Sequence, residues 1–203
     1  MLASLSSRES CGCFARLVAP AVRQDTTGLS ANYEPDVKIA VWGSGSIYEA
    51  AIRACLRHEI EIAEADDCDV LLLANYTRML KAPDRALPRV GALCFHPSVL
   101  PKHRGRDAVY WTVKMGDPTC GVSWFWIDAG IDTGDVAATV EVARPDVRPR
   151  ELYEETLVPL GEMLLDTLLG QFKRGVFSRF AQDERFATYE PPRDRPAATT
   201  AER

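Results

Sequence analysis

The sequence predicts an α/β protein with a mostly parallel sheet flanked by helices, and three observations carry that prediction. The first is an apolar run, residues 37–42, that ends in the glycine turn Gly43-Ser44-Gly45-Ser46. It continues into "IYEAAIRACLRH", whose apolar residues recur at helical spacing. Strand, glycine turn and helix in that order open a Rossmann-like unit. The second is "DVLLLA" (69–74), apolar at every position after its aspartate, as a parallel strand buried on both faces requires. The third is a late pair of β-rich runs, 121–127 and 135–142, joined by "DAGIDTG", whose glycines suit a hairpin or a crossing connection.

The other elements follow from local pattern. Residues 80–87 read as a short helix, 91–95 as the next strand and 108–114 as a helix. A long amphipathic helix is expected over 151–173, entered after Pro149. Residues 1–35 hold Ser, Arg and Thr with no sustained period, which predicts a disordered extension, with an organelle-targeting peptide as the alternative. They show no continuous apolar core or small-residue cleavage site of a secretory signal. The stretch from Pro191 onward is rich in Pro, Ala and Thr and is expected to be loose. The folded domain is therefore set at 36–178, with a tail over 179–203.

Composition narrows the function. Twenty-nine acidic and 24 basic residues leave a net charge of −5 over 203 residues, without the basic excess of a general nucleic-acid binder. No apolar run approaches the ~20 residues that span a bilayer. The six cysteines have no disulfide-framework spacing, which points to a reducing compartment, the cytoplasm. Cys11-Gly-Cys13 has no second ligand pair to complete a metal site.

Chemistry concentrates where the 91–95 strand ends. Cys94 and His96 stand two apart and so share one face, ahead of a loop stiffened by Pro97 and Pro101. Cys94, His96 and His103 could offer three metal ligands, yet nothing else clusters with them, and no metal is expected. Cys94, His96 and Asp132 could instead form a thiol hydrolase. Same-face neighbours on one strand lie ~6.5–7 Å apart at Cα, however, which is awkward for a nucleophile and its base. The glycine turn could receive an anion at a helix N-terminus, but Tyr48 stands where the dinucleotide fingerprint has its third glycine.

Two stretches, "CFHPSVLPKHRGRDAVYWTV" and "GVSWFWIDAGIDTGDV", resemble the folate-dependent formyltransferases. That family includes glycinamide ribonucleotide and methionyl-tRNA formyltransferases, sugar-amine enzymes and formylation domains of peptide synthetases. The resemblance covers about residues 37–175, and "ATYEPPR" is similar to a segment that follows the catalytic domain in several members. It implies an abbreviated formyltransferase fold, with 10-formyltetrahydrofolate as co-substrate and a small or carrier-bound amine as acceptor. His96 and Asp132 fall on the family's catalytic histidine and aspartate. Cys94 stands where the family has a catalytic asparagine. Arg78, Met79 and Leu80, with Asp128 and Gly130, would border the folate. Gly43, Ser44, Gly45 and Ser46, with Arg104 and Gly105, would face the acceptor. The connection from the first helix to "DVLLLA" is short where typical members carry a further βα unit. A non-catalytic folate- or partner-binding homologue is the alternative, with Cys94 as its support.

Overall fold

The computed structural model describes residues 36–193; the expectations for residues 1–35 and for 194–203 lie outside the described residues. Six strands form one sheet in the order β2-β1-β3-β4-β5-β6. These are β1 (Lys38–Gly43), β2 (Glu61–Ile62), β3 (Val70–Ala74), β4 (Gly91–His96), β5 (Thr119–Trp126) and β6 (Val136–Ala143). The first four pair in parallel, and β5 and β6 pair antiparallel, β5 directly on β4. The glycine-punctuated 128–134 segment is thus the connection of a β5–β6 hairpin.

Period-two alternation divides the sheet into two unlike faces. Ile39, Val70, Leu72, Leu93, Phe95, Val122, Trp124 and Trp126 form the main core. Over them lie α1 (Ser46–Arg57) and α5 (Val158–Phe172). The stripe Ile47, Ala50, Ala51, Ala54 and Cys55 faces inward from α1, and its small residues let α5 approach. Ala40, Leu71, Leu73 and Ala92 occupy the other face in a smaller core, with Cys94 and Trp42 at its margin. Short elements cover that face: a 3-10 turn (Ala65–Asp67) and α2 (Ala82–Arg85). Cys94 and His96 therefore open onto the thinly covered side.

Three elements differ from expectation. The short helix shrinks to α2, because Pro83 sits in its first turn and Pro88 biases Leu87 away from helical geometry. The strand β2 was not expected; both of its residues are exposed and carry no alternation. The helix expected over 151–173 runs as α4 (Pro149–Glu151), a π-helical stretch (Leu152–Leu157) and α5. The widened turn leads into Pro159, which has no N–H to give to the helical ladder. The helix expected over 108–114 is α3 (Ala108–Lys114). Residues 180–190 pack on the domain, Phe180 exchanging backbone hydrogen bonds with Val136 and Tyr189 bridging Arg104. No helix among the described residues is long and apolar enough to cross a membrane.

Candidate active site

The last residue of β4 is His96, and a tightly stitched loop leaves it. Ser123 on β5 donates to Ser98 O at 2.9 Å and accepts from Leu100 N at 3.0 Å. Ser98 in turn donates to Lys102 O. The loop turns back so that His103 O accepts from His96 Nε2 at 2.8 Å. A carbonyl only accepts, so Nε2 carries a proton and Nδ1 is the nitrogen left for chemistry. Nδ1 faces Asp132 Oδ2 at 3.5 Å, and the same carboxylate oxygen accepts from Gly105 N at 2.7 Å. Two loops of different origin thus meet over the imidazole.

The pair is enclosed, with side-chain exposures of 7% for His96 and 19% for Asp132. Burial pulls the His96 imidazole below its ordinary value, and the Asp132 carboxylate opposes that pull. Phe125 on β5 packs edge-on against the ring, with centroids 6.3 Å apart. Cys94, partly exposed, pairs with Phe125 across the ladder. Its thiol makes one weak contact, to Phe95 O at 3.5 Å. Burial, and secondarily Asp132, push the thiol pKa up, the opposite of what an attacking thiolate needs.

Asp128 has a different task in the same turn. Its carboxylate accepts from Gly130 N at 2.9 Å and Thr133 Oγ1 at 2.7 Å, closing an Asx-type turn. A Cβ at Gly134 would lie 1.8 Å from Trp126 O, so glycine lets the hairpin arms meet there. Asp132 itself adopts φ 54, a left-handed conformation.

The other expected site residues spread along the strand ends. Leu80 is buried at 3% exposure, while Met79 is 64% exposed and Arg78 is exposed beside it. The Gly43–Ser46 turn lies at the ends of β1 and β3, tied there by Ser44 N to Ala74 O at 3.2 Å and Asn75 Nδ2 to Ser44 O at 3.2 Å. One strand, β3, separates it from His96. Gly105 is at the pair through its N–H. The Arg104 side chain is not: it is fully buried and turned away, onto Gln182, Glu184 and Tyr189. His103 likewise turns aside, its ring nitrogens 2.8 Å from Asp117 Oδ2 and 2.9 Å from Glu190 Oε1. Among the described residues no group of three His, Cys, Asp or Glu could hold a metal ion. Gln182, Glu184, Thr188 and Glu190 were not foreseen; the resemblance of "ATYEPPR" was a signal for Thr188 and Glu190, and nothing in the sequence singled out Gln182 or Glu184.

Residues 56–165 match the family model described as formyl transferase. The chain belongs to that family. The chain is 40% identical over 104 residues to cytosolic 10-formyltetrahydrofolate dehydrogenase of Homo sapiens, a match covering 51% of the chain and 12% of the relative. It thus spans a small part of that relative's length. Among solved structures, HypX from Aquifex aeolicus in complex with tetrahydrofolic acid superposes with a TM-score of 0.67 at 19% identity, covering 78% of this chain and 30% of that one. An N-formyltransferase from Helicobacter canadensis, in complex with folinic acid and dTDP-3-aminofucose, superposes with a TM-score of 0.64 at 17% identity, covering 76% and 70%. The formyl transferase fold is therefore shared, and in this chain a two-residue β2 stands at one edge of the sheet.

Proposed function

We infer that the chain is an N-formyltransferase moving a formyl group from 10-formyltetrahydrofolate to a small or carrier-bound amine. The observation that carries this reading is the buried His96–Asp132 pair at the carboxyl end of β4, with only Nδ1 free to act. The bound folate supplies an activated formyl carbon. With Nε2 held by a carbonyl, the imidazole cannot turn; protonated Nδ1 donates to the formyl oxygen as negative charge grows there. Asp132 offsets part of the burial that lowers the His96 pKa and so favours the protonated imidazole this step needs. It takes up the amine proton through water, and that proton passes to the folate nitrogen as its bond to the formyl carbon breaks and tetrahydrofolate leaves. Exposed Met79 and Ile131, on the two segments expected to border the folate, offer apolar surface for a planar ring. Gly43, Ser44, Gly45, Ser46 and Gly105 remain the acceptor side of this reading. The net charge of −5 disfavours a nucleic-acid acceptor, and the scattered cysteines support a cytoplasmic setting.

Within this reading, residues 36–178 are the catalytic domain and 179–203 its tail, with 1–35 an extension before it. A non-catalytic folate-binding homologue is the second reading, favoured by the thiol of Cys94 where the family has an asparagine amide. Release of tetrahydrofolate from 10-formyltetrahydrofolate, followed across a panel of amines, separates the two. Asp132→Asn and His96→Ala are each expected to abolish transfer with the fold intact. Asp128→Asn is expected to lower it less, since Asp128 closes its own turn. Loss with Asp128→Asn and retention with Asp132→Asn would overturn the assignment of the loop.

A further inference from the structure

The family match ends at residue 165, yet the side chain that joins the two site loops lies beyond it. A glutamine carboxamide has two N–H donors and an oxygen that accepts twice, and Gln182 uses all four. Its Nε2 donates to Asp132 O at 2.9 Å and to Gly134 O at 2.7 Å. Its Oε1 accepts from Arg104 Nε at 3.1 Å and Nη2 at 2.7 Å. One end of this amide therefore holds the turn that carries Asp132. The other holds the residue after His103, whose carbonyl fixes His96.

Both ties are long-range, 50 residues to Asp132 and 78 to Arg104, so local turn geometry does not supply them. Asp132 and His103 also share a left-handed backbone, φ 54 and φ 55, which non-glycine residues keep only when their surroundings hold it. Gln182 binds the carbonyl of the first. Thr188 Oγ1 accepts from the N–H of the second at 2.8 Å.

We propose that Gln182 is a positioning residue for the pair: its carboxamide joins the Asp132 turn to Arg104 and so sets the separation of His96 Nδ1 and Asp132 Oδ2. What the pair does rests on the formyl-transfer reading; how it is held does not.

Gln182→Glu is the discriminating variant. It keeps the side chain's length and its acceptors for Arg104, but loses both N–H donors and sets a carboxylate against two carbonyl oxygens. The tail stays anchored by the Phe180–Val136 backbone pair and by Glu190 on His103. Gln182→Met, equal in length without donors, acceptors or charge, is the second variant, and the His96 midpoint is read from it, because a new carboxylate at 182 would itself raise that midpoint. The charged and titratable groups that bear on His96 are Asp132 from the turn, His103 from the loop and Glu190 from the tail. Asp132 raises the His96 midpoint, so its displacement lowers that midpoint.

The test uses the full chain with nitrogen-15 histidine. Its three histidines are titrated by NMR, with His96→Gln giving the assignment, and kcat and KM for formyl transfer are measured alongside. The expected result is a lowered His96 midpoint, kcat down by about 10- to 100-fold and KM for the folate within about twofold of wild type. An unchanged midpoint overturns the proposal whatever the kinetics show, because Gln182 would then only fasten the tail. If wild type transfers no formyl group while the midpoint still falls in Gln182→Met, the formyl-transfer reading falls and the positioning role stands.

Discussion

Gly161→Ala sets two opposing effects against each other on the helix that backs the site. Alanine in a helix interior is favoured over glycine by ~1 kcal/mol. A Cβ at position 161, however, would lie 2.5 Å from Phe95 Cε2 and 3.0 Å from Ile47 Cδ1. Phe95 has little room to yield. It is 5% exposed and held edge-on by Trp124 and Tyr153, at centroid distances of 5.5 and 6.5 Å. Nor can α5 step back freely, because Trp124 Nε1 donates to Gly161 O at 2.9 Å. Overpacking of this kind costs ~1–3 kcal/mol, and loosening that hydrogen bond adds ~1 kcal/mol. The clash wins, and Gly161→Ala should destabilise by ~1–3 kcal/mol once the helix gain is subtracted. Urea unfolding followed by tryptophan fluorescence reads this directly. Phe95→Leu removes the opposing ring edge, so the double variant should show a favourable coupling of ~1 kcal/mol or more. A Gly161→Ala protein as stable as wild type would refute the argument, showing that α5 shifts on the sheet without cost.

Two further outcomes are expected. Cys94→Asn restores an amide donor where a thiol is a weak one, and should raise the formyl-transfer rate by up to the ~10²–10³-fold that one oxyanion donor provides; Cys94→Ala should stay near wild type, and a dead Cys94→Ala would mean the thiol takes part. Because burial lowers the His96 pKa from 6.5, the folded state binds fewer protons there than the unfolded chain. That contribution to stability is fully present above pH 6.5 and is lost as pH falls through the lowered folded value. Urea midpoints across that window should therefore drop less steeply with acid in His96→Gln than in wild type.

The strands were legible because most of them leave a local mark. Five of the six strands are apolar runs long enough to stand out, and β2, two exposed residues, is not. Strand direction left a mark on β3, whose unbroken apolar run matches its parallel pairing on both edges, but none on β4, which turns one edge to antiparallel β5. His96 and Asp132 were singled out by the resemblance of their two stretches to the formyltransferases, and the structure brings the two side chains within 3.5 Å of each other. Arg104 shows where that method ends. The resemblance placed it on the acceptor side, but its guanidinium is buried against Glu184 and Gln182. A polar pairing across some eighty positions has no period and no spacing, so only the folded chain reveals it.

The late position of Gln182 in the chain also bears on biosynthesis. Domains can begin to fold as they emerge from the ribosome, N-terminal parts first. His96 and Asp132 leave the exit tunnel well before Gln182, which follows Asp132 by 50 residues. A nascent chain can therefore complete the sheet and bring both loops near each other while the amide that joins them is still inside the tunnel. Closing contacts of that span carries a loop-closure entropy that only later contacts offset. Chains truncated during translation before residue 182 would carry both site residues without the clasp between them.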